Sequence, residues 1–171
     1  MIKRTLTALL LLSGLFTVNI VNAQINQTAN LSVVLNNTVT FVLSDVSPLL
    51  TFTDSDDYNN GVTYTAAAAG LVTANAPFSI SVKSNSETLN ATLGDESIDV
   101  GAISLQATGS NLGTTDKIAL STSEQDIIQG APAGLAKTFG LTYSTAPGDE
   151  DFIGKAADAY TTTLVFTATL D

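Results

Sequence analysis

The chain has 171 residues, 16 acidic and six basic side chains, a formal net charge of −10, and no cysteine, histidine or tryptophan. So acidic a surface repels the phosphates of nucleic acids and anionic lipid head groups, so neither is expected as a partner. Nucleophilic sites that pair serine or cysteine with histidine are excluded, and zinc sites lack their usual ligands.

The first residues, 1–23, have the layout of a secretory signal peptide. Lys3 and Arg4 give a positive start, and Leu6–Phe16 is an apolar run that is too short to span a membrane comfortably. The last three residues of this stretch, Val-Asn-Ala, present the pattern that a signal peptidase reads. We therefore expect cleavage directly after it and one exported domain over residues 24–171, which contains no transmembrane segment.

Beyond the signal peptide, apolar and polar residues alternate over short runs that are bounded by Gly, Pro, Asn and Asp. The alternating runs are Leu31–Leu35, Val39–Leu43, Phe78–Val82, Ile103–Leu105, Phe139–Tyr143 and Tyr160–Leu170. Each has the length and the β-branched content of a strand. The pattern predicts an all-β fold, a single antiparallel immunoglobulin-like β-sandwich of about seven to nine strands, with a closed barrel as the alternative.

Helical patterns are scarce in the same region. The stretch Ser123–Gln129 is consistent with one short helix, because Ser123 can cap its start and Gly130 follows its end. The alanine-rich stretch Thr65–Ala69 is too short and too closely flanked by strand-like residues to indicate a second helix. Helices are therefore expected to contribute little to the fold.

One acidic stretch resembles a calcium-binding loop, because oxygen-bearing side chains recur at short intervals before the turn glycine Gly61. The candidate ligands are Asp54, Asp56, Asp57, Asn59 and Asn60. The match is incomplete, since Tyr58 occupies the fifth position and no glutamate occupies the twelfth. The alternative is a solvated turn, in which Asp, Asn and Gly are favoured for backbone reasons. A second acidic cluster, Asp149–Asp151, is interpreted as a plain loop.

No catalytic constellation is evident in the sequence. Paired carboxylates are available, as glycoside hydrolysis requires, but sugar clefts usually carry exposed aromatic side chains, and the chain has no tryptophan and only four tyrosines. Phosphate-binding glycine loops are missing. We therefore expect no enzymatic activity and no cofactor other than calcium.

Three segments of the chain are similar to known secreted domains: Leu50–Val62, Pro77–Lys83 and Ala159–Thr169. They resemble small secreted β-domains of Bacteroidetes-type bacteria. The last segment is also similar to the final strand of spore-coat-U-like and other fimbrial-type adhesin domains. The resemblance implies an immunoglobulin-like sandwich with a cell-surface or appendage role. The chain differs from chaperone–usher pilins in lacking a cysteine pair and in having Leu170, not an aromatic residue, at the penultimate position.

These observations favour an exported cell-surface structural or adhesive protein that is a fimbrial-like subunit. Its expected partners are itself or other surface proteins, bound through strands at sheet edges. The alternative is an extracellular carbohydrate- or ligand-binding module whose binding depends on calcium. A secreted hydrolase that uses carboxylates is a third and weaker hypothesis. The expected location is the periplasm, the cell surface or the extracellular medium.

Overall fold

A computed structural model describes residues 27–171 of the chain. The signal peptide predicted over residues 1–23 lies outside these residues. Internal contacts divide the chain into two units, Met1–Val34 and Leu35–Asp171. In the first unit, residues 27–34 form no helix or strand and are exposed to solvent.

Every helix and strand of the described residues lies in the second unit, which contains eleven strands. The strands are β1 (Val39–Leu43), β2 (Thr63–Ala74), β3 (Phe78–Ser84), β4 (Thr88–Ala91), β5 (Ser97–Asp99), β6 (Ile103–Thr108), β7 (Lys117–Ala119), β8 (Gln125–Ala131), β9 (Gly134–Thr145), β10 (Tyr160–Thr161) and β11 (Leu164–Leu170). One short α-helix, α1 (Ser55–Asn60), and two 3-10 turns, η1 (Val100–Ala102) and η2 (Glu150–Phe152), interrupt them.

The strands form antiparallel sheets that pack on one shared core. The larger sheet has the order β1-β2-β9-β6-β7, and the sheet opposite has the order β11-β3-β8. A small third sheet has the order β10-β4-β5. It continues the β11-β3-β8 sheet, because the connection from β3 to β4 stays paired with the connection from β10 to β11. Asn85 N donates there to Thr163 O at 2.9 Å. Strands β1 and β11 are therefore edge strands that contact each other across the two sheets.

The centre of the molecule is closely packed. The largest fully buried side chains come from both sheets: Phe78, Phe139, Ile80, Leu105, Ile127, Ile128, Leu141, Val72 and Val82. Gly70 makes room for the ring of Phe139, because a Cβ at this position would lie 2.2 Å from Phe139 Cζ. Phe139 in turn stacks on Phe41, with ring centroids 6.2 Å apart.

The predicted all-β antiparallel sandwich is confirmed, although eleven strands exceed the seven to nine expected. The surplus comes from very short pairings such as β7 and β10, which are too brief to show an alternation in sequence. The alternating run Tyr160–Leu170 is divided into β10 and β11. The alanine-rich stretch Thr65–Ala69 lies within β2, as its flanking residues indicated.

Two local predictions are wrong. The stretch Ser123–Gln129 is not a helix, since Gln125 onward forms β8, where Ile127 and Ile128 are fully buried and Ile80 pairs with Ile128. Burial of these β-branched side chains against β3 outweighs the local capping pattern. The run Leu31–Leu35 alternates like a strand but has no strand partner among the described residues, and no strand begins before Val39.

Candidate functional site

The predicted calcium loop forms the start of helix α1. Asp54 is the N-cap, and its Oδ1 accepts from Asp56 N at 2.9 Å and from Asp57 N at 3.3 Å. Asp57 Oδ2 accepts in return from Thr53 N at 2.6 Å and from Asp54 N at 3.3 Å, which completes a capping box. Both carboxylates therefore satisfy backbone N–H groups that the first helical turn would otherwise leave unpaired.

The other three candidate ligands lie within α1. Asn60 Nδ2 donates to Asp56 O at 2.9 Å, and Asn59 is exposed, as is the side chain of Asp56. Within residues 27–171, no three acidic side chains are grouped closely enough to hold a metal ion. The stretch thus places Asp54 at the N-cap and the other four predicted residues within the 6 residues of α1, and calcium binding there stays a prediction. Asp149 acts similarly in the second acidic cluster, where it accepts from Asp151 N at 3.0 Å.

An aromatic cluster joins these two acidic turns. The ring of Phe52 lies 4.9 Å from that of Tyr58 on α1 and 4.8 Å from that of Phe152 on η2, measured between centroids. Tyr58 remains 40% exposed, and Gly148 N donates to its carbonyl oxygen at 2.9 Å. The partly exposed ring of Tyr58 is thus backed by the rings of Phe52 and Phe152, a geometry suited to stacking against the apolar face of a ligand. Sequence spacing did not reveal it, because Phe152 lies far along the chain.

A pair of tyrosines on β2 and β9 lies on the core-facing side of the larger sheet, beside a carboxylate. Tyr64 Oη donates to Asp45 Oδ1 at 3.2 Å, and the rings of Tyr64 and Tyr143 are 6.3 Å apart. Burial raises the pKa of Tyr143, and the charge of Asp45 raises it further; the same two causes raise the pKa of Tyr64. Both phenols therefore keep their protons near neutral pH, and the pair acts as a packing contact with a hydrogen bond.

The most unusual surface follows the two edge strands that contact each other. All inward-facing side chains of β1 and β11 pack against the core but are only half-buried, whereas most of those on the central strands are buried. Tyr64 and Ala66, at the start of β2, are the half-buried exceptions there. We call these residues the edge seam: Val39, Phe41, Leu43, Leu164, Phe166, Ala168 and Leu170. Within the described chain, β1 pairs only with β2, and β11 pairs only with β3. Each therefore presents one row of unpaired backbone groups.

An exposed apolar segment precedes this edge in the sequence. Leu31, Val33 and Leu35 are 91%, 72% and 84% exposed, although their alternation is that of a half-buried strand. Contiguous apolar residues are rarely left so exposed unless they bind something. The sequence identified this segment and both terminal runs, but it did not show that their neighbouring strands would be incompletely covered.

No family model matches the sequence, and no curated protein matches it. No helix among residues 27–171 is long and apolar enough to cross a membrane.

Proposed function

We propose that the protein is an exported cell-surface structural or adhesive subunit that self-associates when Leu31–Leu35 of one copy adds to β1 of another. The observation that supports this proposal is that the chain has an open apolar edge and an exposed apolar strand-like segment at once. The edge lacks a neighbouring strand and the segment lacks a sheet to join, so a second copy of the chain is the partner that offers both.

Length and alternation match between the two parts. Leu31–Leu35 and β1 both have five residues, and each presents three apolar side chains at alternate positions. Pairing would satisfy the free edge of β1 with backbone hydrogen bonds and place the three apolar side chains over the edge seam. Complete burial of a leucine or valine side chain contributes about 1.5–3 kcal/mol, which offsets the entropy lost when a short segment is ordered.

A surface role is supported by the resemblance to secreted and fimbrial-type domains and by the predicted signal peptide. An open sheet edge normally favours uncontrolled aggregation, and proteins usually cover it or place charges along it. Here the inward side of β1 has only apolar residues, Val39, Phe41 and Leu43. An edge of this composition is best explained by a specific strand that covers it.

Light scattering during size-exclusion chromatography tests the proposal with two proteins, residues 24–171 and residues 36–171. The longer protein should form larger species as its concentration rises, and the shorter one should remain a monomer. Leu93→Ser is the matched control, because it removes an equally exposed leucine at the tip of the β4–β5 hairpin and should leave assembly intact. Equal assembly of the two proteins would refute the proposal.

The second candidate function is an extracellular carbohydrate- or ligand-binding module, which the exposed ring of Tyr58 on its aromatic base favours. Sugars commonly bind by placing an apolar face against such a ring. Tyr58→Ala should then abolish retention on the glycan that the unmodified protein binds, while Tyr160→Phe should not. Titration with millimolar calcium tests whether Asp54–Asn60 contributes, and the absence of any heat change would remove calcium from this proposal.

A further inference from the structure

The segment that we expect to pair with a second copy could also fold back onto its own β1. Only residues 36–38, Asn-Asn-Thr, separate Leu35 from Val39, and asparagine-rich loops of this length often connect two antiparallel strands. In such a hairpin, Leu35 would lie opposite Val39, Val33 opposite Phe41 and Leu31 opposite Leu43. Opposed residues face the same side of a sheet, so all three would cover the edge seam.

Residues 31–35 form no strand in the structure, and the residues that would make the hairpin loop are bound by the side chain of Asn75. Its Oδ1 accepts from Thr38 N at 2.8 Å, and its Nδ2 donates to Asn36 O at 2.8 Å. One amide therefore binds a carbonyl and an N–H two residues apart, as the backbone of a neighbouring strand would. The backbone of Asn75 adds a bond of 3.3 Å from its N–H to Thr38 O.

These bonds hold residues 36–38 on the β2 side of β1. Asn75 follows the last residue of β2 directly, and β1 pairs with β2 through Val39 and Ala74. The free edge of β1 is the opposite one. A loop that returns the chain to that free edge must turn away from β2, and it would have to give up the side-chain bonds to Asn75.

We propose that Asn75 acts as a clamp that prevents Leu31–Leu35 from pairing with its own β1 and keeps it available for β1 of a second copy. This inference rests on the proposed function and identifies what controls it. The side chain of Asn75 is exposed and contributes nothing to the core, so its removal leaves the sandwich and the backbone bond to Thr38 in place.

Cross-linking distinguishes pairing within one chain from pairing between two. Val34 and Thr40 are opposite each other in the same register, and both side chains are exposed. The chain has no cysteine, so Val34→Cys with Thr40→Cys introduces the only two thiols, and every disulfide that forms joins these positions within one chain or between copies. Oxidised protein, residues 24–171, is separated on a non-reducing gel with Asn75 intact, with Asn75→Ala, and with Asn90→Ala, a control that removes an exposed amide on β4.

With Asn75 intact, and equally with Asn90→Ala, covalent dimers and larger species should predominate. With Asn75→Ala, the ratio of internally linked monomer to linked dimer should rise about tenfold, since two hydrogen bonds no longer oppose the hairpin. An unchanged ratio would overturn the role of Asn75. If residues 36–171 still fail to assemble in that case, the proposed function survives without the clamp, whereas their normal assembly would refute both.

Discussion

The centre of the sandwich and its β1–β11 edge are built from the same kinds of residue but are packed very differently. At the centre, Phe139 is enclosed by both sheets and fits against Gly70. At the edge, Phe41 stacks on that same Phe139 and yet remains half-buried. The difference shows that the edge is apolar beyond what the isolated fold can cover. Stability should therefore depend on the centre, and association on the edge.

The largest effect should come from removing a central ring. Phe139→Ala deletes a fully buried side chain and should lower the free energy of unfolding by about 3–5 kcal/mol. Phe41→Ala deletes a phenyl ring of the same size from the half-covered edge. It should lower the free energy of unfolding by about half as much, because part of the Phe41 ring already contacts water. Urea denaturation at low protein concentration measures both. Equal losses would contradict the distinction between centre and edge.

A substitution at Gly70 tests how tightly the centre of the sandwich is packed. Gly70→Ala would place a methyl group against the buried ring of Phe139, and overpacking of this kind costs about 1–3 kcal/mol. Gly94→Ala is the matched control, because the nearest atom to its added Cβ, that of Ala91, lies 3.9 Å away. Thermal unfolding should separate the two variants clearly. A Gly70→Ala protein as stable as the control would show that the ring can move at little cost.

Two substitutions in the apolar segment Leu31–Leu35 test association without disturbing the sandwich. Val33→Glu puts a charge on the side of the segment that would face the edge seam, and it should weaken association by at least about 2 kcal/mol. Ser32→Glu adds the same charge one residue earlier, on the opposite side, and should leave association nearly unchanged. Light scattering compares them. Equal weakening of both would indicate that net charge, not strand pairing, governs association.

The smallest effect concerns the hairpin that joins β4 to β5. Asp158 Oδ2 accepts from Leu93 N at 2.7 Å and from Gly94 N at 3.1 Å, and these N–H groups, Leu93 foremost, hold its pKa below the usual 3.8. A lowered folded-state pKa stabilises the protein above pH 3.8 and ceases to do so as the pH falls through the folded value. Asp158→Asn should therefore lower the melting temperature slightly at pH 7.

The same variant should match the unmodified protein once the pH lies well below 3.8. Because Asp158 lies at the surface and is only partly buried, solvent screens its charge, and the difference at pH 7 is expected to be small. Calorimetry across this pH range checks both points. A difference that persists unchanged in acid would assign the effect to the shape of the side chain and not to its charge.

Sequence alternation predicted the sandwich because half-buried strands must alternate, as Phe78–Val82 and Phe139–Tyr143 do. It misjudged Gln125–Ala131, because local capping signals compete there with tertiary pairing to β3, which no local pattern reports. It placed Asp54–Asn60 in an acidic turn but missed the capping box, in which Asp57 takes the role usually filled by glutamate or glutamine. It could not anticipate the edge seam, since exposure depends on which strands happen to be neighbours.

Amide hydrogen exchange at low and high protein concentration tests the central claim most directly. Exchange should slow with concentration in two peptides only, one that contains Leu31–Leu35 and one that contains β1. The opposite edge of the larger sheet, β7, should exchange equally at both concentrations. Protection that appears at β7, or no change at β1 under conditions where light scattering shows assembly, would contradict the account.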